Sequence, residues 1–133
     1  MPASNERPVR TDEITRRKNL EPEDLAKTVV DMVVGKLGED VLLMDIRHVS
    51  AFADYFVICN GTSDRQLQAI QEEVIARLKE MGTRPLHLEG TPASGWILMD
   101  YGSVVLHIFL PVTRQYYNLE QLWSEGKIVL RIQ

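Results

Sequence analysis

Cysteine is almost missing from this chain: Cys59 is the only one in 133 residues. One thiol can neither close an internal disulfide nor build a cysteine zinc cluster. It lies in the apolar run Tyr55-Phe56-Val57-Ile58-Cys59, which suits a reducing compartment and the role of a small buried hydrophobe. Long apolar runs are missing too. No stretch approaches the ~18 residues of a spanning helix, and the N-terminus is polar rather than a charged cap leading into an apolar signal core. A cytoplasmic protein is the expectation. Basic charge is also in short supply, with 15 Lys and Arg against 19 Asp and Glu for a net charge of −4. That balance argues against wrapping bare nucleic acid, because neutralising phosphates takes clustered Lys and Arg. A basic protein partner suits it better. What remains, 44% hydrophobic and 26% charged residues, is the composition of an ordinary globule. Its size fits one domain that folds without disulfides or a structural metal.

Residues 1 to 20 carry Pro2, Pro8 and the basic run Arg16-Arg17-Lys18 without apolar periodicity, and they read as a disordered tail ahead of a domain over 21–133. A helix is predicted from Pro22 to Leu37 with Gly38 as its stop; Leu25, Val29 and Val33 form its buried stripe, widened by Val30, Val34 and Leu37. Val41 to Val49 reads as a strand with Met44 and Ile46 opposite Asp45 and Arg47. The uninterrupted run Tyr55 to Cys59 predicts a central strand covered on both faces. Ser63-Asp64-Arg65-Gln66 has a capping-box pattern, and Leu67, Ile70, Val74, Leu78 and Met81 step along a helix closed by Gly82. A short strand is expected over Pro85–Glu89. Trp96–Tyr101 and Val104–Leu110 follow as strands joined through Gly102-Ser103, a type II′ hairpin turn. Thr113 is placed to cap a last helix carrying Tyr116, Leu119, Leu122 and Trp123 and stopped by Gly126, with residues 127–132 available as a short edge strand. The expected fold is α/β (α+β): one domain with a mixed five-stranded sheet flanked by helices.

The hairpin separates two faces. A two-residue turn pairs Asp100 with Val105, Met99 with Leu106, Leu98 with His107, Ile97 with Ile108 and Trp96 with Phe109. Ile97, Met99, Tyr101, Val104, Leu106 and Ile108 then share an almost wholly apolar face that belongs on the core. The opposite face holds Trp96, Leu98, Asp100, Val105, His107 and Phe109. Large apolar groups mixed with a carboxylate and an imidazole have the composition of a protein interface, a hydrophobic centre with a polar rim. The pattern alone equally allows a helix to cover this face and pair Asp100 or His107 internally.

Three ordered blocks resemble the RsfS/Iojap ribosomal silencing factors. The first is Asp54-Tyr55-Phe56-Val57-Ile58-Cys59-Asn60-Gly61-Thr62-Ser63 with Gln68-Ala69-Ile70. The second is Glu89-Gly90 with Gly95-Trp96-Ile97-Leu98-Met99-Asp100-Tyr101-Gly102-Ser103-Val104-Val105-Leu106-His107-Ile108-Phe109, and the third is Tyr116-Tyr117-Asn118-Leu119-Glu120-Gln121-Leu122-Trp123. The likeness spans about residues 22 to 124. It implies a mixed α/β domain with a nucleotidyltransferase-like fold that binds the fourteenth protein of the large ribosomal subunit, blocks joining of the small subunit and represses translation. It also implies that Trp96 belongs to the docking surface, the assignment reached from strand alternation. A homodimer of the free protein is compatible with such a patch.

The alternative is a degenerate or residual nucleotidyltransferase. Gly61-Thr62-Ser63 at a strand-to-helix turn could hold a phosphate. Two-metal transfer chemistry needs paired carboxylates, however, and the stretch where that fold supplies Asp-x-Asp or Asp-x-Glu reads His87-Leu88-Glu89, with Asp100 as one further ligand. An incomplete set favours a binding protein with no catalytic residue, metal or cofactor. His48, His87 and His107 are expected on separate strands without metal-ligand spacing.

Overall fold

A computed structural model describes residues 20–133, so the expected tail lies outside the described residues except for Leu20, which packs against the core. The first helix, α1 (Pro22–Gly35), opens on proline with Glu23 and Asp24 in its first turn, where carboxylates complement the helix dipole. It buries Leu25, Ala26, Val29, Val30, Met32 and Val33. Its end falls short of expectation: Leu37 takes the left-handed conformation (φ 65°) and is exposed, as is Val34. The chain must turn there because the Gly38 N–H returns to the Val33 carbonyl at 2.9 Å, so close that a Cβ at Gly38 would meet the Val33 side chain at 2.4 Å.

Strand β1 (Glu39–Asp45) stops four residues before the expected Val49. Asp45 is buried, and its carboxylate accepts from the Arg47 guanidinium at 2.7 and 3.0 Å and from the Arg47 backbone N–H, which bends the chain out of the sheet. The Val49 and Ser50 N–H groups close that turn on the Ile46 carbonyl. Strand β2 (Tyr55–Asn60) is buried from Tyr55 through Cys59, as its composition requires of a central strand. Helix α2 (Asp64–Glu80) starts at Ser63, whose hydroxyl accepts the Gln66 N–H at 3.1 Å, and buries Leu67, Ile70, Val74 and Leu78. Strand β3 (His87–Thr91) lies two residues later than expected and is exposed throughout.

Strands β4 (Trp96–Asp100) and β5 (Val104–Phe109) pair in the register derived from the turn, with Trp96 opposite Phe109 and Asp100 opposite Val105. Gly102 has φ +89°, a positive value of the kind glycine is expected to supply at this turn. Beyond β5 the expected single helix is two pieces, α3 (Pro111–Tyr117) and α4 (Leu119–Leu122), broken at Asn118 with φ 49°. Leu110, not Thr113, is the N-cap of α3; Pro111 opens the helix and Tyr116 and Leu122 stay exposed. Strand β6 (Lys127–Ile132) pairs antiparallel with β1 and makes the sheet six-stranded rather than five.

The strand order is β3-β4-β5-β2-β1-β6, with β2 and β5 the parallel pair. Both helices α1 and α2 lie on one face and bury the main core, which includes Val41, Leu43, Val57, Cys59, Ile97, Met99, Leu106 and Ile108. The other face carries a smaller cluster of Leu42, Met44, Ile46, Phe56, Ile58 and Phe109, closed by Leu119 and edged by Trp96, Leu98 and Trp123.

Candidate functional site

The hairpin face divides on folding. Trp96, Leu98 and Asp100 on β4 stay half-buried, whereas Val105, His107 and Phe109 on β5 are buried, His107 at 3% and Phe109 at 0% exposure. Of the six residues expected on the docking face, β4 supplies the accessible ones and β5 those packed beneath them. β5 is interior to the sheet, and the aromatic rings around it close over its residues. Access is confined to β4 and its neighbours.

Trp96 is held on three sides. Its ring stacks on Phe109 (centroids 4.9 Å apart, 28° between planes) and meets Tyr117 of α3 at 4.7 Å. The indole N–H donates to His107 Nδ1 at 3.2 Å. A nitrogen that accepts is unprotonated, so the His107 proton sits on Nε2, which is buried without a partner among the described residues. Burial pushes the His107 pKa down to about 3, and Phe56 lies edge-on at 4.7 Å, so the imidazole is neutral and serves as an acceptor for the tryptophan. Asp100 turns its carboxylate to the Gly102 N–H at 2.7 Å and so secures the hairpin turn.

Two clefts flank this ridge. One, of about 410 Å³, is lined by Glu89, Gly90, Ser94, Trp96, Leu98 and Tyr117. The other, of about 240 Å³, lies on the far side of Leu98 between Phe52, Phe56, Asp100, His107 and Trp123. Phe52, at 91% exposure on the loop after β1, adds a bare aromatic beside the second cleft. Phe52 and Tyr117 were missed by sequence reasoning. Tyr117 stood inside a matching block, but Phe52 sits in a short loop with no periodicity to mark it.

Residues considered for catalysis do not converge. The Thr62 N–H and hydroxyl, where a phosphate would be held, both go to the Gln66 side-chain carbonyl at 2.6 and 2.9 Å. The Gln66 amide in turn donates to the Lys36 and Leu37 carbonyls, tying the α2 start to the end of α1. His87 lies opposite Asp100 and Glu89 opposite Leu98, so the two carboxylates sit diagonally across the strand pair. Among the described residues, no group of three or more His, Cys, Asp and Glu side chains is placed to hold a metal ion. Cys59 is fully buried and its thiol is pushed up to about 12, which removes it as a nucleophile. His48 lies in the loop after β1, not on a strand. No helix among the described residues is long and apolar enough to cross a membrane.

Comparison with known proteins agrees with the likeness read from the three sequence blocks. A family model described as ribosomal silencing factor during starvation matches residues 19–132. The ribosomal silencing factor RsfS of Bacillus subtilis is 43% identical, over 70% of this chain and 79% of its own length. A mouse protein named mitochondrial assembly of ribosomal large subunit protein 1 is 36% identical, over 74% of this chain and 46% of its own. A crystal structure of a protein from Chromobacterium violaceum superposes with a TM-score of 0.76 at 30% identity, over 79% of this chain and 88% of that one. Matched along nearly all its described length and in its fold, the chain belongs to the ribosomal silencing factor family.

Proposed function

We propose that this protein binds the large ribosomal subunit through that subunit's fourteenth protein and, by occupying the joining face, keeps the small subunit away and represses translation. It acts by binding and exclusion, without turnover. The observation that carries this reading is the β4 ridge, where Trp96 is anchored by Phe109, Tyr117 and His107 yet remains half-exposed between two clefts. A preorganised aromatic with apolar neighbours and a polar rim is the composition of an interface hot spot. Family membership supports a ribosomal partner, and the mouse relative's name concerns the large subunit.

Co-sedimentation with isolated subunits tests it. The protein is expected to pellet with large subunits and to lower the yield of joined ribosomes when the small subunits are added. Equal binding to small subunits, or to neither, would overturn the reading.

A further inference from the structure

Glu89, one carboxylate of an incomplete metal-binding pattern, stands on β3 opposite Leu98. It lines the larger of the two clefts, whose remaining walls are the Trp96 and Tyr117 rings, Leu98, Gly90 and Ser94. Its side chain is 65% exposed, with the His87 imidazole 3.3 Å from the carboxylate; no lysine or arginine pairs with it among the described residues. Ser94 is committed, its hydroxyl donating to the Thr91 carbonyl at 2.7 Å, so it contributes little to ligand binding. Gly90 lets β3 run close against β4 at this wall, because a Cβ there would lie 2.0 Å from the Trp96 carbonyl oxygen.

We infer that this cleft takes a lysine or arginine side chain of the ribosomal protein partner, with the aliphatic stem along Leu98 and the aromatic walls and the cationic head against Glu89. The assignment rests on the docking reading above and specifies the chemistry it recognises. A largely apolar cleft with a carboxylate that no lysine or arginine of the described residues pairs matches an amphipathic cation: the stem is desolvated against carbon while the head keeps a charge partner. Aromatic faces add their own attraction for a cation. The same carboxylate repels a phosphodiester, and among the described residues no basic side chain lines the cleft, so the occupant is protein rather than RNA.

The test measures affinity of the full chain for isolated large subunits with Glu89→Gln and Glu89→Lys, at low and high monovalent salt. Loss of the charge is expected to weaken binding by about tenfold and to flatten the salt dependence; reversal is expected to weaken it by more than about thirtyfold. Melting temperatures should not change, since the side chain is exposed on an edge strand. Should Glu89→Lys unfold, the near-isosteric Glu89→Gln carries the test. Wild-type affinity in Glu89→Gln, or tighter binding by Glu89→Lys, overturns the cation assignment while leaving the docking reading intact. Failure of the wild-type chain to bind large subunits overturns the docking reading itself.

Discussion

At the scale of single residues, two neighbours on one strand have opposite duties. Ile97 points into the main core and is fully buried, while Trp96 points to the second face and is half-buried. Alternation along a strand separates these roles without any other information. Ile97→Ala is expected to cost ~2 to 5 kcal/mol of folding stability and to affect binding only through unfolding. Trp96→Ala is expected to weaken large-subunit binding by ~2 to 4 kcal/mol, the range of a truncated aromatic anchor. The contacts of Trp96 with Phe109, Tyr117 and His107 add a stability loss of ~1 to 2 kcal/mol that strand alternation does not reveal. Melting curves and subunit binding on both variants check this; binding by Trp96→Ala that equals wild type would remove the anchor role.

Among elements, the short helices after β5 depend most on distant partners. Arg114 of α3 is 5% exposed, and its guanidinium donates to the Asp40 carbonyl at 2.6 Å, to Asn60 Oδ1 at 3.0 Å and to Glu120 of α4 at 3.0 Å. It thus ties α3 and α4 to the ends of β1 and β2 and holds Tyr117 beside Trp96. Replacing it with an apolar residue leaves Glu120 and two acceptors without their cation. Arg114→Met is expected to cost ~3 kcal/mol or more in chemical denaturation and to weaken binding in the fraction that stays folded. A variant as stable as wild type would show the clamp to be dispensable. Nothing in the local sequence marks this arginine, because Asp40 and Asn60 lie 74 and 54 residues away. Asn118, which breaks the expected single helix, owes its left-handed conformation to a local property instead, since asparagine tolerates positive φ better than most residues.

For the molecule as a whole, stability should depend on acid through His107. Its native pKa of about 3 lies below the ~6.5 of an unfolded histidine, so below pH ~6.5 the unfolded chain takes up a proton that the native one refuses. The His107 contribution is thus complete above pH ~6.5 and falls by ~1.4 kcal/mol per pH unit as the pH drops toward 3. Asp45, held down to about 2 by Arg47, contributes above its unfolded value of ~3.9, and that contribution is lost only in stronger acid. Urea titrations between pH 7 and 4 should show the His107 slope, and His107→Gln, which keeps an acceptor for the Trp96 indole, should flatten it. An unchanged slope in that variant would reassign the effect. What the sequence determined by itself was whatever follows from short-range periodicity: the central strand at Tyr55–Cys59, the stripe of α2, and the hairpin register with its two faces. These elements carry their own patterns, since side chains alternate along a strand and recur every three or four residues along a helix. Only the tertiary structure decided how much of the second face stays open, burying His107 and Phe109 while leaving Trp96 and Leu98 within reach, and only it brought Glu89 and Tyr117 to one cleft. Those outcomes depend on which elements pack across the sheet, and contacts between residues distant in the chain leave no periodic trace in its order.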